Sequence, residues 1–237
     1  MIRPVLLCDG RMPKSLQDAL ALYGTLFPLP PHPLLPPPVC AHPDLLLFYD
    51  GEKGILYTFL DYYEQNETLF KALPVKTVPL DLRAGEYPLD LHFDQLLYKG
   101  RIIGRAPFIP KALTEGREVV HVRQGYAKCA TLLLSDAAVT ADGGIARAIC
   151  ALGGRTLTIE NEGIALPGYD KGFIGGASAV VGSSVLFFGD LYAHGQGREI
   201  EDFLLKEGYT LHALCSEPLT DYGGLVVIES PSEIQTI

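Results

Sequence analysis

The sequence predicts an α/β fold, a five-bladed propeller of ββαβ units, on three observations. The stretch from Gly125 to Glu160 follows the order strand, tight turn, strand, helix, strand. First strands of similar units begin near positions 44, 90, 130, 177 and 224, a repeat on the order of 45 residues. The N-terminal unit lacks a first strand, while an unassigned strand remains near the C-terminus. We therefore expect one domain over residues 1–237, a pseudo-fivefold ring whose first blade is closed by the C-terminal strand.

The N-terminal unit supplies a strand, a helix and a strand. Ile2–Cys8 is an apolar run, Pro13 begins a helical pattern that Gly24 ends, and Thr25–Leu29 follows as a strand. Seven of the 18 prolines then lie between positions 28 and 38, which excludes a helix or an inner strand. This stretch is interpreted as a connector between blades, with a PxxP ligand for another domain as the alternative.

The second and third blades repeat the order strand, turn, strand, helix, strand. The predicted elements of the second blade are strands 45–49 and 55–58, a helix within 61–73 and strand 75–78. Those of the third blade are strands 89–98 and 101–104, a helix near 109–114 and strand 119–122.

The fourth blade has the clearest helix, because Ile145, Ala148, Ile149 and Leu152 share one face and Asp142 is placed to cap its start. The predicted strands of the fourth blade are 130–134, 137–140 and 156–159. Those of the fifth blade are 177–181, 185–188 and 209–214, with a helix around 200–204. The strand that belongs to neither is 225–228.

A doubly wound parallel sheet is the competing architecture. It requires strand and helix in strict alternation. Here a tight turn such as Ser135-Asp136 or Lys99-Gly100 repeatedly joins two strands before the helix. The propeller is therefore favoured.

Composition narrows the classes of function. The net charge is -9 and no run of Lys or Arg is present, which argues against binding to nucleic acid and is compatible with a small cationic ligand. No apolar run approaches the roughly 18 residues that cross a bilayer, and the N-terminus is too short in apolar residues for a signal peptide, so a cytoplasmic protein without membrane contact is expected. The five cysteines contain no CxxC pair, so neither a disulfide framework, a metal nor another cofactor is predicted, and most thiols are expected to be buried.

Five short motifs lie at the starts of the blades and in the connections between elements: His42-Pro43-Asp44, Gln124 to Cys129, Asp142 with Gly144 to Ala146, Gly172 to Gly176, and Leu219-Thr220-Asp221. They resemble the motifs of an uncharacterised bacterial family, found largely in clostridia, that is assigned to the guanidine-modifying-enzyme or pentein fold. The resemblance covers essentially the whole chain and implies the same five-bladed ring.

The characterised enzymes of this fold include arginine and agmatine deiminases, dimethylarginine hydrolases and amidinotransferases. The resemblance implies a cysteine nucleophile, a histidine acid/base and carboxylates that clamp a guanidinium, hence a C–N hydrolase acting on a guanidino or amidino group. In those enzymes the cysteine follows a glycine-rich run near the C-terminus, whereas Gly223 to Ile228 contains none. A non-catalytic binding protein of the same fold, with a small-molecule or macromolecular partner, is therefore the alternative.

Three residues are predicted to be catalytic. Cys129 precedes the first strand of blade four, where a ring would direct it to the axis. Lys128 is predicted to belong to the binding site, and its charge beside Cys129 would lower the pKa of the thiol. His42 and Asp44 hold the matching place in blade two and would complete a Cys/His/Asp set. The alternatives are a core cysteine, and a turn in which Asp44 accepts backbone N–H bonds.

Asp90, Asp142 and Asp221 are further candidates for substrate binding around the same opening. For Asp142 a helix cap is the stronger interpretation. His92 and Asp94 form an H-x-D pattern on one side of a predicted strand, and we treat this match to the deiminases as chance. The glycines at 175–176 fit neither a phosphate loop nor a nucleophile elbow and are expected to let the backbone approach the axis.

Overall fold

The computed structural model describes residues 3–229, which form five three-stranded sheets. In every sheet the middle strand is antiparallel to one neighbour and parallel to the other, the pairing that a ββαβ unit requires. The strands are β1 Val5–Asp9, β2 Thr25–Leu29, β3 Leu47–Asp50, β4 Ile55–Phe59, β5 Lys76–Leu80, β6 Leu96–Tyr98, β7 Arg101–Gly104, β8 Val119–His121, β9 Thr131–Leu133, β10 Ala137–Thr140, β11 Arg155–Thr158, β12 Ser178–Val181, β13 Ser184–Phe187, β14 Thr210–Ala213 and β15 Val226–Ile228.

Helices connect the parallel strands of each blade. They are α1 Lys14–Leu20 in blade one, α3 Leu60–Gln65 and α4 Glu67–Lys71 in blade two, α5 Lys111–Thr114 in blade three, α6 Gly143–Ala151 in blade four and α7 Gly197–Lys206 in blade five; α2 Pro43–Leu46 precedes β3. The predicted five-bladed ββαβ propeller is confirmed.

The first sheet is closed by the C-terminal strand, as predicted. Its order is β15-β1-β2, with Val5 opposite Ile228 and Leu7 opposite Val226 in an antiparallel ladder. This pairing leaves β1 without an open edge, because its other side is occupied by β2.

Apolar side chains link each blade to the next around the whole ring. One cluster joins blades one, two and three, a second joins three and four, a third joins four and five, and a fourth joins five and one. The core is therefore a circle of contacts between sheets rather than one central mass.

The axis of the ring is surrounded by the first strands of the five blades. Residues of β3, β6, β9, β12 and β15 line one cavity of about 250 Å³, which we call the axial cavity. The segments that lead into these strands consequently meet at one end of the axis, where the candidate site lies.

Two predicted first strands begin two or more residues later in the structure. The segment predicted as strand 89–98 is a 3-10 turn, Leu89–His92, followed by β6 at Leu96. Asp94 leaves the ladder because its carboxylate accepts backbone N–H bonds from the neighbouring blade. In blade two, residues 45–46 belong to α2 and the strand begins at Leu47. His92 and Asp94 therefore do not lie on one side of a strand, which corrects that expectation.

The proline-rich stretch begins as an edge strand and continues as a connector, which contains one 3-10 turn, Pro37–Val39, where no helix was predicted. Pro28 lies in β2, the outer strand of its sheet, and pairs with Cys8. Arg11 fixes the later part, since its guanidinium donates to the carbonyls of Pro37 (2.5 Å) and Pro38 (2.9 Å).

Over residues 3–229 no helix has both the length and the apolar character that a bilayer crossing demands.

Candidate functional site

A second cavity, of about 320 Å³, lies at the end of the axis where the segments preceding the first strands meet. We call it the site cavity. It is lined by Val39, His42, Asp44, Leu45, Asp94, Tyr126, Cys129, Leu166, Tyr169, Asp170, Lys171, Phe173 and Asp221. Five of these form the axial cluster: His42, Asp44, Asp94, Cys129 and Asp221. All five are buried, with at most 7% of their surface exposed.

Asp44 lies in the first turn of α2, directly ahead of β3. Its backbone N–H donates to the carbonyl of Gly223, which ties blade two to the segment before β15. Among residues 3–229, neither carboxylate oxygen of Asp44 has a hydrogen-bond partner. The interpretation of Asp44 as a turn residue that accepts backbone N–H bonds is therefore wrong. Asp44 also lines the axial cavity, so it separates the two cavities.

Asp94 was not selected from the sequence, yet it lies at the centre of the cluster. Its Oδ1 accepts the backbone N–H groups of Lys128 (2.6 Å) and Cys129 (3.0 Å), while Oδ2 has no partner within the described chain. Asp94 stands two residues before β6, as Cys129 stands two residues before β9. That equivalence between blades is the signal that would have identified it.

Cys129 and Asp221 contact each other across the axis. The thiol Sγ lies 3.3 Å from Asp221 Oδ2. Asp221 is held by two backbone donors, Phe173 N at 2.9 Å to Oδ2 and Gly223 N at 2.9 Å to Oδ1. A Cβ on Gly176 would lie 1.9 Å from Asp221 Oδ1, so only glycine allows this approach, as expected for that glycine pair.

His42 lies between two carboxylates. Its Nδ1 is 3.8 Å from Asp221 Oδ1, and its Nε2 is 3.8 Å from Oδ2 of the fully buried Asp9. Asp9 is neutralised by Arg11, whose Nε and Nη2 both donate to it. The imidazole of His42 therefore lies next to the carboxylate of Asp221, which in turn contacts the thiol of Cys129.

Burial controls the electrostatics of the cluster. It raises the pKa of Cys129 well above its usual range, and the charges of Asp221, Asp44 and Asp94 add to this effect. Burial also raises the pKa of Asp44, with help from Asp94 and Asp221, and brings the pKa of Asp94 to about 7. The pKa of His42 is lowered by burial. The cluster thus favours a protonated thiol and a neutral imidazole.

Lys128 points to the other cavity. Its side chain lines the axial cavity and is partly buried. Burial lowers its pKa, while Asp44, Asp94 and Cys129 oppose that change. The pKa of Cys129 is raised overall, by burial and by the charges of Asp221, Asp44 and Asp94, so a lowering effect of Lys128 on this thiol stays a prediction.

Two other predicted binding residues lie outside the cavities. Asp142 caps α6, with its Oδ1 accepting from Gly144 N and Ile145 N at 2.8 Å each. Asp90 accepts a 2.7 Å hydrogen bond from the hydroxyl of Tyr126, which lines the site cavity. The prediction placed Asp90 at the head of a strand, but β6 begins at Leu96 and Asp94 takes that place.

The thiols are less buried than expected. Cys8 and Cys129 are buried, Cys40 and Cys215 are half-buried and Cys150 is exposed; all five are free. Cys150 contacts Thr156 Oγ1 at 3.3 Å on the surface. Cys129 is therefore distinguished from the others by its charged surroundings rather than by burial alone.

The outer wall of the site cavity is aromatic. The rings of Tyr126 and Phe173 lie 6.3 Å apart between centroids, and Tyr169, 49% exposed, stands at the mouth. Lys171 at the mouth is paired with Glu162 at 3.2 Å. Aromatic faces beside buried carboxylates suit an organic cation with an apolar part.

Comparisons with known proteins bear on family and fold. A family model described as "Family of unknown function (DUF6873)" matches residues 7–226. A crystal structure of dimethylarginine dimethylaminohydrolase in adduct with 4-chloro-2-hydroxymethylpyridine is similar over 90% of this chain and 92% of its own, with a TM-score of 0.48 and 14% identity. No curated protein matches the chain.

Proposed function

This chain belongs to the DUF6873 family, whose function is unknown, and we propose that it is a hydrolase that acts on the guanidino or amidino group of a small cation. One observation carries the proposal. The thiol of Cys129, the imidazole of His42 and three buried carboxylates all face one cavity of about 320 Å³. A thiol, an acid/base and acceptors for a planar set of N–H donors are the groups that this reaction needs.

The carboxylates bind the substrate. Asp44 offers two oxygens and Asp94 offers Oδ2, none of which has a hydrogen-bond partner among residues 3–229. Buried acceptors without donors are costly, and a guanidinium supplies donors in one plane together with a positive charge. The charge also favours the ionised forms of Asp44 and Cys129, so the substrate itself lowers the pKa of the nucleophile.

The thiol proton has a path away from sulfur. Asp221 Oδ2 lies 3.3 Å from Cys129 Sγ, and Asp221 Oδ1 lies 3.8 Å from His42 Nδ1. The proton passes to Asp221 and on to His42, which is thereby charged for the next step. Sulfur then attacks the guanidinium carbon, a C–S bond forms, and the electron pair of the C=N bond moves to nitrogen.

Collapse of this adduct breaks the C–N bond, and the leaving amine takes the proton from His42. Water next attacks the carbon of the S-alkylthiouronium adduct and gives one proton to His42. The C–S bond breaks as the C=O bond forms, the proton on His42 returns to sulfur, and the hydroxyl proton leaves to solvent, where the released amine takes up one proton. The net reaction converts guanidinium and water into a ureido product and an ammonium or alkylammonium ion, with no change of oxidation state.

The experiment is a screen of small guanidino and amidino cations with the full chain, read by mass spectrometry for ureido product. Acid quenching during turnover should trap an adduct on the peptide that contains Cys129. Cys129→Ser should reduce turnover by more than about 10³-fold. Cys150→Ser, which changes an exposed thiol, should leave turnover unaltered. Unchanged turnover in Cys129→Ser on every responsive substrate would overturn the proposal.

A cation-binding protein without catalysis is the second candidate. Burial and three carboxylates hold the pKa of Cys129 high, which favours a protonated thiol. Calorimetry with the same compounds separates the two functions: a binding protein gives heat of binding without ureido product, and the hydrolase gives both.

A further inference from the structure

Three potential metal ligands from three different blades converge in the axial cluster. A carboxylate oxygen of Asp44, a carboxylate oxygen of Asp94 and the Sγ of Cys129 all lie within 4.8 Å of one another. Asp44 precedes β3, Asp94 precedes β6 and Cys129 precedes β9, so the ring itself brings the three together. All three are buried.

Hydrogen bonding separates free ligand atoms from occupied ones. Both oxygens of Asp44 and the Oδ2 of Asp94 are buried and have no partner in the described part of the chain. Asp94 Oδ1 and both oxygens of Asp221 accept backbone N–H bonds. Free buried carboxylate oxygens of this kind are costly unless a cation or donor meets them.

We propose that Asp44, Asp94 and Cys129 bind one divalent transition-metal ion, of which zinc is the best fit. A thiolate with carboxylates suits a borderline-soft ion better than calcium or magnesium, which prefer oxygen alone. Zinc bond lengths place neighbouring ligand atoms roughly 3.5 Å apart. The oxygens of Asp44 have no backbone N–H donor in the described part of the chain, so their approach to an ion would break no such bond.

The fourth coordination position faces the site cavity, where water or a small ligand would complete a tetrahedral centre. Asp221 is a supporting group, since its own oxygens are engaged and its Oδ2 contacts the sulfur. The expectation of no metal came from cysteine spacing along the sequence. These ligands are far apart in sequence and meet only after the ring has closed.

Coordination replaces the S–H bond by an S–metal bond and releases the proton to solvent, with no electron transfer. The opposing charge is Lys128, whose side chain lines the axial cavity on the other side of Asp44. The inference does not rest on the proposed hydrolysis. A bound metal occupies the sulfur that hydrolysis requires, so metal and guanidinium exclude each other.

Titration of chelator-treated full-length protein with Co²⁺ tests the site. One equivalent should give a thiolate-to-cobalt charge-transfer band in the near ultraviolet and visible bands of tetrahedral intensity, and Zn²⁺ should bleach both. Asp44→Asn and Asp94→Asn should weaken Co²⁺ binding roughly tenfold or more. Lys128→Met should strengthen it, because an adjacent positive charge is removed.

Cys129→Ser should abolish the charge-transfer band, and Cys150→Ser should retain it; circular dichroism establishes that each variant is folded. The inference is overturned if the wild-type protein gives no charge-transfer band, or if the band persists in Cys129→Ser or disappears in Cys150→Ser. The readout needs no guanidino substrate. A cobalt band without ureido product in the metal-free protein would therefore reject the hydrolase and retain the metal site, and the reverse result would do the opposite.

Discussion

The thiol of Cys129 lies 3.3 Å from the Oδ2 of Asp221, although 92 positions separate them in the chain. The contact joins the segment before β9 to the segment before β15, on different blades. The carboxylate is fixed by two backbone N–H donors, so the sulfur meets a rigid negative group. The proposed hydrolysis depends on that pairing.

Replacing Asp221 by Asn should lower the pKa of the Cys129 thiol. After burial, the charge of Asp221 is the largest cause of its elevation, and the substitution removes that charge while keeping the shape of the side chain. The measurement is the rate at which Cys129 is alkylated as a function of pH, followed by peptide mass spectrometry. Asp190→Asn, at the start of a surface 3-10 turn, should leave the profile unaltered. An identical profile in Asp221→Asn would contradict the prediction.

Stability should fall as pH rises from about 4 to about 7. The folded pKa of Asp94 is about 7, above the value of about 3.9 expected in an unfolded chain, so the folded state binds more protons in this window. Above about pH 7 this contribution no longer changes. Urea unfolding at about pH 5 and about pH 8 measures the difference.

Asp94→Asn should reduce that pH dependence, leaving the part due to Asp44, whose pKa is also raised by burial. Asp142→Asn is a matched control, because both residues accept two backbone N–H bonds and Asn caps a helix as well as Asp does. An equal pH dependence in Asp94→Asn and wild type would show that Asp94 does not titrate as stated.

Arg11→Ala should destabilise the fold by about 3 kcal/mol, because it leaves the fully buried Asp9 without its neutralising partner. The guanidinium also loses its bonds to the carbonyls of Pro37 and Pro38. Lys14→Ala removes an exposed ion pair with Asp18 and should cost less than about 0.5 kcal/mol. Urea unfolding compares the two, and equal losses would refute the role of Arg11.

Gly176→Ala should lower stability by about 1–3 kcal/mol, since an added methyl overlaps the carboxylate of Asp221. It should also alter the alkylation rate of Cys129, because Asp221 must shift away from the sulfur. Gly195 has open space around its Cα, so Gly195→Ala should have little effect on either measurement. Normal stability in Gly176→Ala would mean that the carboxylate moves without cost.

The fold was predictable because strand order and repeat length are local properties of the sequence. The closing strand was identifiable because the N-terminal unit lacked a first strand and the apolar run 225–228 belonged to no other unit. The site was predictable in part. Cys129, His42, Asp44 and Asp221 line the same cavity, whereas Asp142 caps a helix and Asp90 accepts a hydrogen bond from Tyr126.

Asp94 was missed because alternating apolar residues in 89–94 imitate a strand, while the actual strand begins at Leu96. Exact strand starts depend on contacts with the next blade, here the bonds from Asp94 to backbone groups of residues 128 and 129. The direction of the pKa shift of Cys129 was also beyond the sequence, because it is set by burial and by three carboxylates from other blades.

Because β1 pairs with β15, the order of synthesis has a consequence for the nascent chain. While the protein emerges from the ribosome, β1 carries an unpaired edge until residues 226–228 are available. Asp221 emerges just before that strand, so the sulfur meets its carboxylate only in the finished molecule. Closure of the ring and assembly of the candidate site are therefore coupled, and a chain that stops short of β15 would have neither.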